Sequence, residues 1–210
     1  MPAIKKGPKG SAQYFALFRK DFSKKELFLL NFAYDLSKYA HGYLKQVRDT
    51  GERYFNHPRE VSRIIAKELG VLDLETHIVT LLHDCPEDTH LMTIERIRQI
   101  FGKTVSRDVE VLSKRNLTNM DKDAYLKQYF SIIKKTSWRA CLVKCGDRIH
   151  NLRSLPLVTE KDLMKVRRQI IETEKYFPSL LPTLKKHNLL LAVKVESLLR
   201  AEIVRLSKSL

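Results

Sequence analysis

Apolar residues recur along this chain at the three- and four-residue spacing of an α-helix. Three stretches show the spacing most clearly, and their apolar positions are Val61, Ile64, Ile65 and Leu69, then Ile78, Leu81 and Leu82, then Leu191, Val195, Leu198, Leu199 and Leu206. The alternating pattern of a β-strand is not sustained anywhere. The sequence therefore predicts an all-α fold, a helical bundle of about ten helices in a single domain.

Residues that begin or end helices divide the apolar stretches. Thr93 is placed as an N-cap for a helix that ends at Gly102. Thr159 and Asp162 have the spacing of a capping box at the start of a later helix. Pro86 cannot donate a backbone hydrogen bond and disfavours helix at the residue before it, so the helix through Leu81 and Leu82 is expected to end near residue 85.

Composition restricts the class of protein. The 210 residues include only seven glycines and seven prolines, which favours long helices, and 43% of the residues are hydrophobic, as in globular proteins. No apolar stretch approaches the roughly 18 residues that span a membrane.

Residues 1–23 are expected to form a basic tail or extension, and residues 24–210 the folded domain. Three cysteines, an odd number, favour free thiols in the cytoplasm.

The net charge of +15 creates a positive field that attracts anions. Nucleic acid and a phosphorylated small molecule are both compatible with it, and so is a solvated basic surface. Charge alone does not distinguish these partners.

Polar groups interrupt the apolar faces at three points. His57 precedes Pro58 at a helix start, the pair His83-Asp84 closes an apolar helix, and Asp147 lies on a later helix. Each feature alone is more often a helix cap or a solvated turn. Together they form a mixed imidazole and carboxylate set, which suits Mn²⁺, Fe²⁺, Zn²⁺ or Co²⁺.

The ordered pattern of His, His-Asp and Asp resembles the HD superfamily of metal-dependent phosphohydrolases, which is an all-α fold. The local strings RYFNHP, LLHDCPEDT, the Phe-Gly twelve residues before Lys114, and LVKCGDRIHNLRSL are similar to the hydrolase domain of RelA/SpoT-type alarmone enzymes over roughly residues 40–180. The chain ends where bifunctional members continue into a synthetase domain. The resemblance therefore predicts a small stand-alone hydrolase, like the metazoan SpoT homologue.

The resemblance implies a role for each matching residue. His57, His83, Asp84 and Asp147 match the ligands of one divalent ion, normally Mn²⁺, and Glu87 and Asp88 match the acidic pair that handles the attacking water. Matches to substrate-binding residues, or candidates for holding phosphate, are Arg48, Lys114, Asn151, Arg153, Ser154 and Tyr176. The implied reaction is hydrolysis of the 3′-diphosphate of guanosine 3′,5′-bis(diphosphate), ppGpp, or of pppGpp, which releases pyrophosphate and lowers alarmone levels in the stringent response.

Departures from the family pattern bear on the substrate more than on the metal. Arg48 is followed by Asp49 where the family often has a lysine or serine, and Cys145-Gly146 replaces Leu-Ala before Asp147. Three alternatives therefore stay open: the same chemistry on another nucleotide, such as an adenosine alarmone or the 2′-phosphate of NADPH; hydrolysis at a 3′-pyrophosphorylated tRNA; and a non-catalytic nucleic-acid- or protein-binding module.

Overall fold

The fold consists of helices. The computed structural model describes residues 10–43, 45, 47, 51–113, 121–157 and 159–210. The α-helices of this part are α1 Ser11–Phe15, α2 Lys24–Tyr43, α3 Asn56–Lys67, α4 Leu74–Leu82, α5 Cys85–Asp88, α6 Ile94–Leu112, α7 Lys122–Thr136, α8 Trp138–Arg153, α9 Glu160–Tyr176, α10 Leu181–His187 and α11 Leu189–Ser207, with a 3-10 turn at Phe177–Leu180. Apart from an isolated bridge between Val47 and Arg53, the described residues form no β structure. The predicted all-α bundle is confirmed.

Helix α8 lies at the centre of the bundle. It contacts α3, α4, α6, α7, α9, α10 and α11. Residues 140–147 are all buried, so the helix presents side chains to the interior on every side. Asp147 is therefore held inside the protein by the packing of the helix that carries it. Among the described helices, none is long and apolar enough to cross a membrane.

The predicted helix starts are confirmed at two positions. The Thr93 side chain accepts a hydrogen bond from the Arg96 amide, and Thr159 and Asp162 form a reciprocal capping box. At Gly102 the chain departs from helical geometry, with φ 87° and ψ 177°, as the glycine predicted. The helical course resumes directly afterwards, so α6 continues across a kink to Leu112.

The segment around Pro86 differs from the expectation. Helix α4 ends at Leu82, and a short second helix, α5, begins at Cys85 with Pro86 in its first turn. Proline is tolerated there because the first amides of a helix have no partner within it. The proline therefore starts a helix instead of ending one, and His83 and Asp84 lie in the bend between the two.

The packed part of the chain begins earlier than residue 24, where the sequence placed the start of the domain. Tyr14 and Phe18 are fully buried and Phe22 is nearly so. The Tyr14 hydroxyl lies 2.8 Å from the Ser62 hydroxyl of α3. These aromatic rings recur every four residues within a basic stretch, and burial of that helical face joins residues 11–22 to the core.

Candidate active site

His57, His83 and Asp147 form a buried cluster in which one donor atom from each lies within 4.8 Å of the others. His57 is the second residue of α3, His83 directly follows α4, and Asp147 lies within α8. Three segments distant in sequence therefore meet at one point. The sequence predicted this group as metal ligands, and the geometry suits a shared cation.

Asp84 lies against both imidazoles of the cluster. Its Oδ1 atom is 3.2 Å from His83 Nε2, and its Oδ2 atom is 3.5 Å from His57 Nε2. The Tyr54 hydroxyl donates a hydrogen bond to Oδ2 at 3.1 Å, a contact that the sequence did not indicate. The structure therefore brings all four predicted ligands together.

The donor set fits a divalent ion. The Nδ1 atom of His83 lies 2.7 Å from the carbonyl oxygen of Thr80. A carbonyl only accepts, so Nδ1 carries a proton, and in the tautomer that this contact selects the lone pair is on Nε2. That buried Nε2 has no hydrogen-bond partner among the described residues, and it faces a carboxylate oxygen. A cation between the two would satisfy both.

Asp147 is oriented by its own helix. Lys144 Nζ lies 3.0 Å from Asp147 Oδ2, and Asn151 Nδ2 donates to Oδ1 at 2.6 Å. Burial alone would raise the pKa of Asp147, but the Lys144 charge and the contacts with His57 outweigh it and hold the pKa well below its ordinary value. Asp147 is therefore ionised, as a metal ligand must be.

His57 is held at both ring nitrogens. Its Nε2 atom lies 3.1 Å from Asp147 Oδ1, and its Nδ1 atom lies 2.9 Å from Nδ1 of His150. Burial lowers the pKa of His57, although the two neighbouring carboxylates oppose that shift. The neutral imidazole that results is the form that binds a metal.

The acidic pair of α5 divides between two environments. Glu87 is exposed and lines the adjoining cavity, whereas Asp88 is half-buried. Burial and the charge of Asp84 raise the pKa of Asp88 to about 6, although a hydrogen bond with Tyr54 opposes the shift. A carboxyl group with this pKa can take up and release a proton near neutral pH.

A cavity of about 690 Å³ opens from the cluster. His57, Asp84 and Asp147 line one part of it. The basic side chains that line it are Lys122, Lys144, Arg148, Lys165 and Arg168. The sequence did not indicate these residues as part of a site. Only Lys144, one turn before Asp147, and Arg148 stood in a quoted motif; the others come from α7 and α9, and folding alone brings them here.

The predicted substrate-binding residues have different outcomes. Asn151 and Ser154 line the cavity. Arg153 instead turns away to pair with Glu68 and Glu202 on other helices. Tyr176 is buried against Phe130, which lines the cavity, and its hydroxyl donates a hydrogen bond to Asp123. Neither Arg153 nor Tyr176 therefore lines the cavity. Arg48 and Lys114 lie outside the described residues.

Comparison with known proteins agrees with the geometry. A family model described as HD domain matches residues 33–173. The chain is 37% identical over 142 residues to the guanosine-3′,5′-bis(diphosphate) 3′-pyrophosphohydrolase of Aquifex aeolicus, and 33% identical over 146 residues to the bifunctional (p)ppGpp synthase/hydrolase SpoT of Escherichia coli. Each alignment covers 67% of this chain but only 20% of the relative. The chain thus spans about a fifth of these relatives.

A solved structure shares the fold. It is described as a metazoan ortholog of SpoT that hydrolyses ppGpp, and it superposes with a TM-score of 0.62 at 23% sequence identity. The superposition covers 86% of this chain and 96% of the other. At this identity the similarity establishes the architecture, and the chemistry must be argued from the residues.

Proposed function

This chain belongs to the HD-domain family, and on that premise we propose that it hydrolyses the 3′-diphosphate of guanosine 3′,5′-bis(diphosphate) and releases pyrophosphate. The observation that carries the proposal is one cavity in which the His57, Asp84 and Asp147 side chains lie together with Glu87 and several cationic side chains. A volume of about 690 Å³ is in the range of small-molecule sites. The names of the relatives support the same substrate.

The metal would be held by His57, His83, Asp84 and Asp147. Two imidazoles with two carboxylates suit Mn²⁺, Fe²⁺, Zn²⁺ or Co²⁺, and of these we propose Mn²⁺, the ion that the resemblance to RelA/SpoT-type hydrolases implies. Such an ion supplies a water of lowered pKa and neutralises charge on the phosphate. The residues of the chain then orient the reacting groups and move the proton.

Glu87 is the proposed acceptor of the proton from the attacking water, because it is the member of the acidic pair that lines the cavity. Asp88, with a pKa raised to about 6, is proposed to relay that proton. Tyr54 holds Asp84 by a hydrogen bond at 3.1 Å and so fixes the carboxylate between the two imidazoles.

The basic residues of the cavity are proposed to hold the substrate phosphates. Lys122, Arg148 and Arg168 come from three different helices and line the same cavity. Phosphoryl transfer depends mainly on positioning and on stabilisation of developing negative charge, which convergent cations provide. Asn151 is proposed to orient Asp147 through its 2.6 Å hydrogen bond. A contact between Asn151 and the nucleotide is proposed as its secondary role.

The test is a side-by-side assay of pyrophosphate and phosphate release with Mn²⁺. The substrates are guanosine 3′,5′-bis(diphosphate), its adenosine counterpart, NADPH and 3′-pyrophosphorylated tRNA. We expect pyrophosphate from the guanosine compound, and loss of that activity with a chelator or in the Asp84→Asn variant. Inactivity on the guanosine compound at full metal occupancy would sink the proposal, and activity confined to another substrate would reassign the site to it.

A further inference from the structure

A carboxylate lies among the cations that line the cavity. Glu172 of α9 accepts a hydrogen bond from Lys122 Nζ at 2.6 Å, and its other oxygen lies 3.6 Å from Arg148 Nη2. All three side chains line the cavity. Glu172 therefore forms ion pairs with two of the cations that an anionic ligand would need.

The two cations are held very differently. The Arg148 side chain is 13% exposed, donates to Gln169, and lies over the Phe177 ring with its guanidinium carbon 4.8 Å from the ring centroid. The Lys122 side chain is 63% exposed at the first residue of α7. A long, exposed lysine exchanges partners at little cost, because exposed ion pairs contribute about 0–1 kcal/mol. Lys122 is the partner that Glu172 can give up.

We propose that Glu172 is an internal competitor for phosphate, a carboxylate that holds Lys122 when the cavity is empty and yields it to a phosphate group of the ligand. The inference rests on the proposed function and adds a residue that determines affinity. A ligand gains Lys122 only by displacing the Glu172 carboxylate from it, so Glu172 lowers the affinity of the cavity for phosphate groups. The same competition favours release of the product pyrophosphate.

The alternative is a structural role in which Glu172 only ties α9 to α7 and α8. The two roles differ in the sign of one measurable effect. A competitor weakens anion binding, so its removal strengthens binding. A structural carboxylate positions Arg148, so its removal weakens binding and leaves a buried guanidinium with one partner fewer.

The experiment is titration calorimetry of inorganic pyrophosphate and of inorganic phosphate into the full chain, with every variant loaded with the same divalent ion. Glu172→Gln keeps the side-chain shape and removes the charge. We expect its dissociation constant for pyrophosphate to fall several-fold, up to about tenfold, with a smaller effect on phosphate. Glu174→Gln is the matched control, because Glu174 is an exposed carboxylate on the same helix outside the cavity. It should bind pyrophosphate like the original chain.

A double-mutant cycle separates competition for Lys122 from a general change in charge. In a Lys122→Met background, Glu172→Gln should no longer tighten pyrophosphate binding. Weaker or unchanged binding by a folded Glu172→Gln protein overturns the inference, and so does tightening that persists without Lys122. Binding is measured without turnover, so an inactive enzyme with the expected binding pattern would contradict the proposed reaction and leave the competitor role standing.

Discussion

Gly146 lies so close to Ile65 that a Cβ atom at the glycine would be 3.2 Å from the Ile65 Cγ1 atom. The same atom would be 3.3 Å from Val61 Cγ1. Both neighbours belong to α3, which carries His57, and Gly146 directly precedes Asp147 on α8. The separation of two helices that carry proposed metal ligands is therefore set at a residue without a side chain.

We expect Gly146→Val to loosen the metal site as well as the fold. Overpacking of a dense core costs about 1–3 kcal/mol, and here it pushes α8 away from α3. The free energy of unfolding by urea and the Mn²⁺ affinity should both fall. Gly42→Val is the matched control, since a Cβ atom at Gly42 of α2 meets nothing within 4 Å. Unchanged Mn²⁺ affinity in Gly146→Val would show that the contact does not set the ligand geometry.

His83→Ala tests the metal site directly. The substitution removes the unpartnered Nε2 atom, so Mn²⁺ affinity measured by calorimetry should fall by more than the roughly 10- to 100-fold that loss of a residue orienting a ligand causes. The thermal midpoint of the metal-free protein should change much less than that of the metal-loaded protein. His90→Ala, which alters an exposed histidine outside the cluster, should bind the ion normally. Equal affinity in the two variants would contradict the assigned site.

The sequence predicted the parts of the site that depend on local order. His57, His83-Asp84 and Asp147 could be found because each lies within a recognisable string, and the caps at Thr93 and Thr159 because capping is local. The role of Arg153 could not be found in this way. Its partners, Glu68 and Glu202, lie 85 and 49 positions away, and only helix packing selects them over a phosphate.

The same reason explains why the sequence did not indicate the basic residues that line the cavity. Lys122, Lys165 and Arg168 are ordinary basic residues on helices rich in such residues, and nothing local distinguishes them. Their convergence in one cavity follows from how α7 and α9 pack beside α8. Pro86 shows a different limit, because proline both ends helices and begins them, and the sequence does not select between these uses.

Asp73→Asn should make the free energy of unfolding less dependent on pH in the acidic range. Asp73 caps α4 and accepts hydrogen bonds from Thr76 and Arg139. Burial would raise its pKa, but these bonds outweigh burial and lower it. The contribution of the ionised group is therefore complete above its ordinary pKa of 3.8 and is lost as the pH falls through the folded-state value.

Asparagine keeps the cap and removes the charge, so the unfolding free energy of the variant should be about 0.5–1 kcal/mol lower at neutral pH. The difference in unfolding free energy from the original chain should narrow below about pH 4. Urea unfolding at neutral pH and at several acidic values measures it. A difference that stays constant with pH would mean that the charge of Asp73 adds nothing beyond the cap.

Arg153→Met should reduce stability and leave substrate affinity unchanged. Arg153 donates to Glu202 Oε1 at 2.8 Å and to both oxygens of Glu68 at 2.7 and 2.9 Å, which joins α8 to α11 and to the end of α3. The Glu202 side chain is only 11% exposed and keeps Arg205 as a partner. The loss of unfolding free energy should be about 1–2 kcal/mol, between the values of exposed and buried pairs.

Arg200→Met is the control for that variant, because the Arg200 side chain is 76% exposed in its pair with Glu196. It should cost less than about 0.5 kcal/mol. Urea unfolding and the KM of the proposed pyrophosphate-releasing reaction are measured on both proteins. A several-fold rise in KM for Arg153→Met, with its unfolding free energy intact, would return Arg153 to the phosphate-binding role that the sequence suggested. The expected result, lower stability at constant KM, confines it to holding α3, α8 and α11 together.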